Sequence, residues 1–403
     1  MRRIARFALA LSLALAANAA RAQGKISDGV VKIGVLTDMT GAYSDLAGPG
    51  SIAAAQMAVD DMAKKMGNVK VVLVSADHQN KADIASNTAR KWIDEDKVDA
   101  VVDLVSSSTA LAVMPVAAAK KVITLLSGPG SDPITGEKCT PYTVHYTYDN
   151  YSMAHGTGKA VVDRGGKSWF FITADYVFGK TLQADTAAVV TANGGTVVGN
   201  VFAPFPTTDF SSYLLQAQSS GAQVVGLANA GADTVNAIRQ AHEFGITPKQ
   251  SLAGLLVFIS DIHSLGLQNA RGLLFTTAFY WDRDEASRAW SKRFFEKTKK
   301  MPTMVQAGVY SEVTHYLEAI RAAGTDDGDA VMKQMRATPV NDFFAKNGRI
   351  GMDGLHRHDM YLVEVKAPEE SKYPWDYYKV LQTIPADLAF PREADSKCPN
   401  VKK

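Results

Sequence analysis

The sequence predicts an α/β protein built as two doubly wound parallel-sheet lobes. Strand-like apolar runs alternate with helical spacing along most of the chain, and the alternation comes in two series of similar size. The 403 residues also exceed the comfortable size of a single core.

The first series opens with Val30–Asp38, an apolar run with β-branched residues, then helical spacing over Gly48–Met66. Val69–Asp77 is the next strand and Ala82–Asp96 the next helix, polar on one face. The strand Ala100–Ser106, the helix Thr109–Lys121 and the strand Val122–Ser127 complete the series. Runs without alternation, such as Val71-Val72-Leu73-Val74, suit strands covered on both faces. A Pro- and Gly-rich connection, Ser127–Pro141, leads to the second series. There the pattern gives a helix over Asp149–Arg164, a strand over Ser168–Thr173, and a helix over Gly179–Ala192 stopped by Asn193-Gly194-Gly195. Thr196–Phe202, Gln223–Ala228 and Leu252–Phe258 are further strands with helices between them. The later part differs: a strand over Gly272–Trp281, helices over Glu285–Lys300, Met304–Ala323 and Asp326–Arg336, and a late strand over Tyr361–Lys366. Pro374, Pro385, Pro391 and Pro399 interrupt the stretch from Pro368 to Lys403, which reads as irregular.

Residues 1–22 read as a secretory signal. Arg2, Arg3 and Arg6 form a positive start, Phe7–Ala17 a short apolar core, and Ala20-Arg21-Ala22 a small-x-small cleavage pattern. The apolar core is shorter than the ~20 residues of a lasting membrane span, and no cysteine follows it to carry a lipid. The expected mature chain begins near Gln23, in the periplasm. Losing four arginines lowers the basic count from 43 to 39 against 41 acids, so the formal charge of +2 becomes −2. Such a near-neutral chain with interspersed signs lacks the footprint of a nucleic-acid binder, and no polybasic cluster addresses anionic lipid. No later segment has the length and apolarity for stable membrane insertion. Cys139 and Cys398 are an even pair, which in an oxidising compartment suggests one disulfide tying the C-terminal tail to the body; two unpaired buried thiols are the alternative.

Open α/β sheets bind ligands at the carboxyl ends of their strands, where helix starts present free N–H groups. Ser106, Ser107, Ser108 and Thr109 close the third strand and open the next helix, a place where hydroxyls and amides suit a carboxylate. The same residues also fit plain N-capping. Ser127-Gly128-Pro129-Gly130-Ser131, after the fourth strand, offers a second set of backbone donors, or a simple turn.

Ile33–Asp38 with Thr40-Gly41-Ala42-Tyr43, then Gly48 to Asp61, resembles the opening of periplasmic binding proteins of the branched-chain-amino-acid (leucine-binding) type. Leu104–Ala112, Leu126–Thr135, Ala174-Asp175-Tyr176-Val177-Phe178-Gly179, Phe279-Tyr280-Trp281 and the segment from Gly348 to Lys366 follow in the family's order. The resemblance covers nearly the whole mature chain. It implies a type I periplasmic binding protein: two lobes joined by three crossovers, here near Tyr148, Phe275 and Asn341, with the ligand between them. Residues 25–146 with 277–342 would form one lobe, 147–276 with 343–370 the other, and 371–403 a tail tied back to the body. By position, Ser106–Ser108 and the turn holding Ser127, Gly130 and Ser131 look like the first-lobe carboxylate site, with Tyr43 on the apolar part. Tyr176, Phe178, Asn229 and the wall around Leu256 would come from the second lobe. The partners implied are a small-molecule carboxylate and the permease subunits of an ATP-binding-cassette importer; no cofactor is implied.

One departure from the family bears on the ligand. Amino-acid-binding members carry an acidic residue just after the strand placed here at Leu252–Phe258, to pair with the ligand's ammonium. This chain reads Gly254-Leu255-Leu256-Val257-Phe258, with no carboxylate until Asp261. A buried unpaired ammonium costs several kcal/mol, so the expected ligand has a carboxylate and no α-ammonium. The general style of the sequence, with Tyr373-Pro374-Trp375-Asp376-Tyr377-Tyr378 and Cys398 near the end, resembles the branch that takes aromatic acids.

Enzyme readings find less support. Gly48-Pro49-Gly50-Ser51-Ile52-Ala53 lies about ten residues past its strand, too far for the tight turn of a dinucleotide site. His356-x-His358-Asp359 lacks a second cluster with metal-ligand spacing and reads as a solvated loop; His242-Glu243 and His263 read as surface groups. Ser107 has no sequence-evident base. A receptor feeding a sensor would share fold, secretion and cleft with a transport protein.

Overall fold

The computed structural model describes residues 26–247 and 249–402; the signal reading of residues 1–22 lies outside them. The first series folds into β1 (Val30–Thr37), β2 (Lys70–Asp77), β3 (Ala100–Asp103), β4 (Ile123–Leu126) and β5 (Thr143–His145). They form one parallel sheet in the order β2-β1-β3-β4-β5. β1 lies inside it, and its Gly34 pairs Val74 on one side and Val101 on the other. An added Cβ on Gly34 would sit 2.5 Å from the Trp92 ring, so the indole rests on bare backbone. Trp92 opens a π-helical turn, Trp92–Asp96, that extends the helix Ala82–Lys91. The Val71–Val74 run is not covered on both faces as its lack of alternation suggests. β2 is a sheet edge and those residues are half-buried.

The second series gives β6 (Ser168–Ala174), β7 (Thr196–Ala203), β8 (Val224–Ala228) and β9 (Ser251–Gly254), parallel in the order β7-β6-β8-β9. Trp169, Phe171 and Ile172 of β6 are fully buried, each stabilising the lobe by about 1.5–3 kcal/mol. The strand predicted over Leu252–Phe258 ends at Gly254. Residues 255–258 bend into the helix Ile259–Leu265, whose start is fixed where the Asp261 carboxylate accepts the Phe258 N–H at 2.9 Å.

Next come β10 (Leu274–Thr277), the short pair β11 (Arg349–Ile350) and β12 (His356–Arg357), β13 (Met360–Val365) and β14 (Tyr378–Ile384). β10, β13 and β14 make an antiparallel sheet. β14 corrects the reading of the stretch after Pro368 as irregular: its Val380 and Leu381 stay exposed, so no alternation marks it as a strand. The helix Met304–Ala323 begins with a Thr303–Gln306 capping box, and lies against the helix Gly48–Met62 on the first sheet.

Cys139 and Cys398 are bonded, with Cα atoms 5.6 Å apart across 259 residues of chain. So long a loop gives about 4–5 kcal/mol in the chain-entropy account. The Ser396 hydroxyl donates to the Thr135 carbonyl at 3.0 Å beside the link. His356 and His358 are not in a solvated loop. Both are buried, contact the Tyr146 and Thr147 carbonyls at 2.9 and 3.0 Å, and are held neutral by desolvation. His242 is half-buried rather than a free surface group, set between the Thr247 hydroxyl and the Asn269 carbonyl.

Candidate ligand site between the sheets

A doubly wound sheet opens a crevice where its strand order reverses, because the connections on either side run to opposite faces. The reversal falls between β1 and β3 in the first sheet and between β6 and β8 in the second. The segments leaving these strands and their neighbours face each other around a narrow cavity of about 10 Å³. From the first sheet come Tyr43, Leu46, Val105, Ser107, Gly128 and Gly130, with Tyr148 from the chain beyond β5. From the second come Tyr176, Phe178, Ala230, Leu256 and Phe258.

The first-sheet wall is polar at its centre. β3 ends in two residues with left-handed backbone, Asp103 (φ 78°) and Leu104 (φ 49°), a conformation that costs non-glycine residues about 1–2 kcal/mol. It is held by the Ser127 hydroxyl donating to Asp103 at 3.0 Å and the Leu104 N–H donating to Leu36 at 2.9 Å. The twist delivers Ser106 as the N-cap of the helix Ser107–Ala118. The Ser107 hydroxyl accepts the N–H groups of Gly130 and Ser131, both at 3.3 Å, which ties the helix start to the turn after β4. The Tyr148 phenol donates to the Gly128 carbonyl and closes the same turn.

The second-sheet wall is aromatic. Tyr176, N-cap of the helix Val177–Ala192, brings its hydroxyl within 2.6 Å of the Tyr43 hydroxyl across the two walls. Phe205 lies against both rings, 4.8 Å from Tyr43 and 5.1 Å from Tyr176 between centroids, and Phe178 is 5.7 Å from Tyr176. Burial holds both phenols protonated. The walls also meet through backbone, where the Ala232 N–H donates to the Ala42 carbonyl at 3.1 Å. Gly231, at φ 59°, makes room for this, since a Cβ there would lie 2.5 Å from that oxygen.

No Asp, Glu, Lys, Arg or His lines the cavity among the described residues. The nearby acids are engaged elsewhere. Asp233 accepts the Thr207 N–H with both oxygens at 3.2 Å, and burial pushes its carboxyl up to about 7. Asp261 caps Phe258 and is likewise raised to about 7 by burial. Behind the polar wall, burial raises Asp103 to about 6 and Glu312 well above the carboxylate range, with Ser127 beside both.

Of the residues singled out by sequence, Tyr43, Ser107, Gly130, Tyr176, Phe178 and Leu256 line the cavity together. Ser106 stands at its edge, with its hydroxyl bearing on the Tyr176 phenol. Ser108 is half-buried in the first helical turn, and Ser131 contributes its N–H to Ser107. Ser127 faces Asp103 instead of the cavity. The Asn229 carbonyl oxygen accepts the Thr234 hydroxyl at 2.6 Å, and its buried amide nitrogen finds no partner among the described residues. Sequence reasoning missed Leu46, Val105, Tyr148, Ala230, Phe258 and the flanking Phe205. Gly128 and Tyr148 lay within segments already marked as turn and crossover; the apolar residues carry no signal that separates a cavity wall from core.

Residues 30–372 match a family model described as periplasmic binding protein. The chain is 54% identical to a periplasmic binding protein of Burkholderia mallei, with a TM-score of 0.91 and coverage of 93% of this chain and 100% of that one. It is 40% identical to a branched chain amino acid ABC transporter periplasmic ligand-binding protein of Burkholderia xenovorans LB400, with a TM-score of 0.82 over 92% of this chain and 99% of that one. A Leu/Ile/Val-binding protein homolog of Brucella melitensis biotype 1 is 26% identical over 95% of this chain and 97% of its own length.

Proposed function

The chain belongs to the periplasmic binding protein family, whose members bind ligands without transforming them, and from that premise we propose that it captures a small carboxylate lacking an α-ammonium. An aromatic acid or another non-amino organic acid fits, held between two closing lobes and handed in the periplasm to the permease of an ATP-binding-cassette importer. The observation that carries this is the make-up of the cavity: the Ser107 hydroxyl and a helix start beside Tyr43 and Tyr148 on one wall, Tyr176, Phe178 and Phe258 on the other, and no charged side chain among the described residues. A carboxylate gains about 1.5–3 kcal/mol for each charge-assisted hydrogen bond from such donors, whereas an ammonium has no anion to meet. In the arrangement seen here the walls leave about 10 Å³ between them, room for about one water, so a ligand enters only when the two lobes part.

In this reading the lobes are residues 25–146 with 277–342 and 147–276 with 343–370, and a ligand touching both shifts their population toward the closed form. A branched-chain amino acid is the second reading, favoured by the names of the Burkholderia xenovorans and Brucella relatives. Calorimetric titration of the purified protein with benzoate and with leucine separates the two. Benzoate binding with leucine silent is expected; tight leucine binding without benzoate binding overturns the proposal.

A further inference from the structure

Outside the cavity, a second contact joins the two walls. Asp132 begins the short turn Asp132–Ile134, two residues after Gly130 of the first wall. Asp185 lies two turns along the helix Val177–Ala192, whose start carries Phe178 of the second. The two carboxyl groups lie within hydrogen-bond reach of each other, yet both are acceptors when ionised. Asp185 Oδ2 is fully buried, and no N–H or O–H among the described residues donates to it. A proton on one member of the pair supplies the missing donor. We infer that Asp132 and Asp185 share a proton across the lobe boundary, so that the lobe arrangement seen here takes up a proton from solvent and loses stability when that proton leaves.

The surrounding charges favour the proton. Glu137 adds negative charge near the pair; Asp149, itself raised to about 7 by burial, adds more once it ionises, and the Tyr151 phenol lies near Asp185. Lys397 is the cation that opposes them, held beside the pair by the neighbouring Cys139–Cys398 link. Burial, then the partner carboxyl, raises Asp132 above the carboxylate range; burial raises Asp185. The sign follows. Separated carboxyls ionise near pH 4, while the pair in contact keeps one proton to higher pH. Between those limits the contact binds more protons than the separated lobes, so it weakens as pH rises. A ligand that closes the lobes onto this arrangement loses up to about tenfold in affinity per pH unit within that window.

The inference rests on the two lobes being separable halves, as proposed above, but its test needs no ligand. Small-angle scattering and carboxyl NMR titration of the full chain, wild type and Asp185→Asn, are read between pH 5 and 8.5. In the wild type, one carboxyl of the pair titrates at least two pH units above the ordinary range, and the radius of gyration changes with pH. In Asp185→Asn the radius stays the same across the range. Ordinary titration of both carboxyls, a pH-independent wild-type radius, or an equal pH response in Asp185→Asn overturns the inference. Benzoate binding is measured separately, so either conclusion can fail alone.

Discussion

The two walls of the cavity solve the same structural problem with different chemistry, although Tyr43 and Tyr148 place rings on the first as well. Each is made where a parallel sheet reverses its strand order and each begins a helix, Ser107–Ala118 on one side and Val177–Ala192 on the other. The first wall places Ser106 at the N-cap position and ties Ser107 to two backbone N–H groups, so its centre is hydrogen-bonding. The second caps its helix with Tyr176 and follows with Phe178, so its centre is a set of rings. A shared architecture thus carries different side chains at its two helix starts. In the proposed reading, the polar wall selects a head group and the aromatic wall selects what is attached to it.

The largest expected break comes from the aromatic wall. Phe178→Ala removes a buried ring and is expected to weaken benzoate binding by about 2–4 kcal/mol, roughly 30- to 1,000-fold in Kd, by calorimetry on a variant whose circular dichroism matches wild type. Ser107→Ala leaves the Gly130 and Ser131 N–H groups without their acceptor, and about 1–3 kcal/mol of binding is expected to go with it. Full affinity in Ser107→Ala beside a large loss in Phe178→Ala would show that rings alone hold the ligand. Asn229→Ala, which removes an amide next to Ala230 whose nitrogen is without a partner among the described residues, is expected to cost about 0.5–1.5 kcal/mol in the same titration.

The smallest effect concerns the support behind the polar wall. Burial raises the Glu312 carboxyl, so the folded chain keeps a proton that the unfolded chain releases above about pH 4.3. Its contribution to stability therefore falls as pH rises from that value. Glu312→Gln carries no such proton, and its melting temperature relative to wild type should increase from pH 5 to pH 8. A difference that stays flat with pH would mean that Glu312 is ionised in the fold.

Much of the site was legible because its polar residues sit at predictable places. Ser106 to Ser108 and the Ser127–Ser131 turn follow apolar strands, and Tyr176 and Phe178 precede a helical pattern; such strand ends are readable from local spacing. Phe258 and Phe205 were not legible. The apolar run places Phe258 at the end of a strand, whereas Asp261 accepts its N–H and starts a helix there, and Phe205 sits in the segment after β7 with no periodic signal. The buried His356 and His358 failed for a related reason, since their carbonyl partners near Tyr146 lie some two hundred residues away.

Short-range pattern was enough to determine the two-sheet α/β class, the order of most elements and the two polar strand ends, because hydrophobic period and capping chemistry act within a few residues. Folding in three dimensions decided that Tyr43 meets Tyr176, that β14 completes a third sheet, and that Asp132 faces Asp185. The first and last of these contacts join segments far apart in the chain, and β14 pairs its neighbour β13 only after an irregular connection. Their geometry depends on the angle between lobes and on burial, which no local spacing encodes.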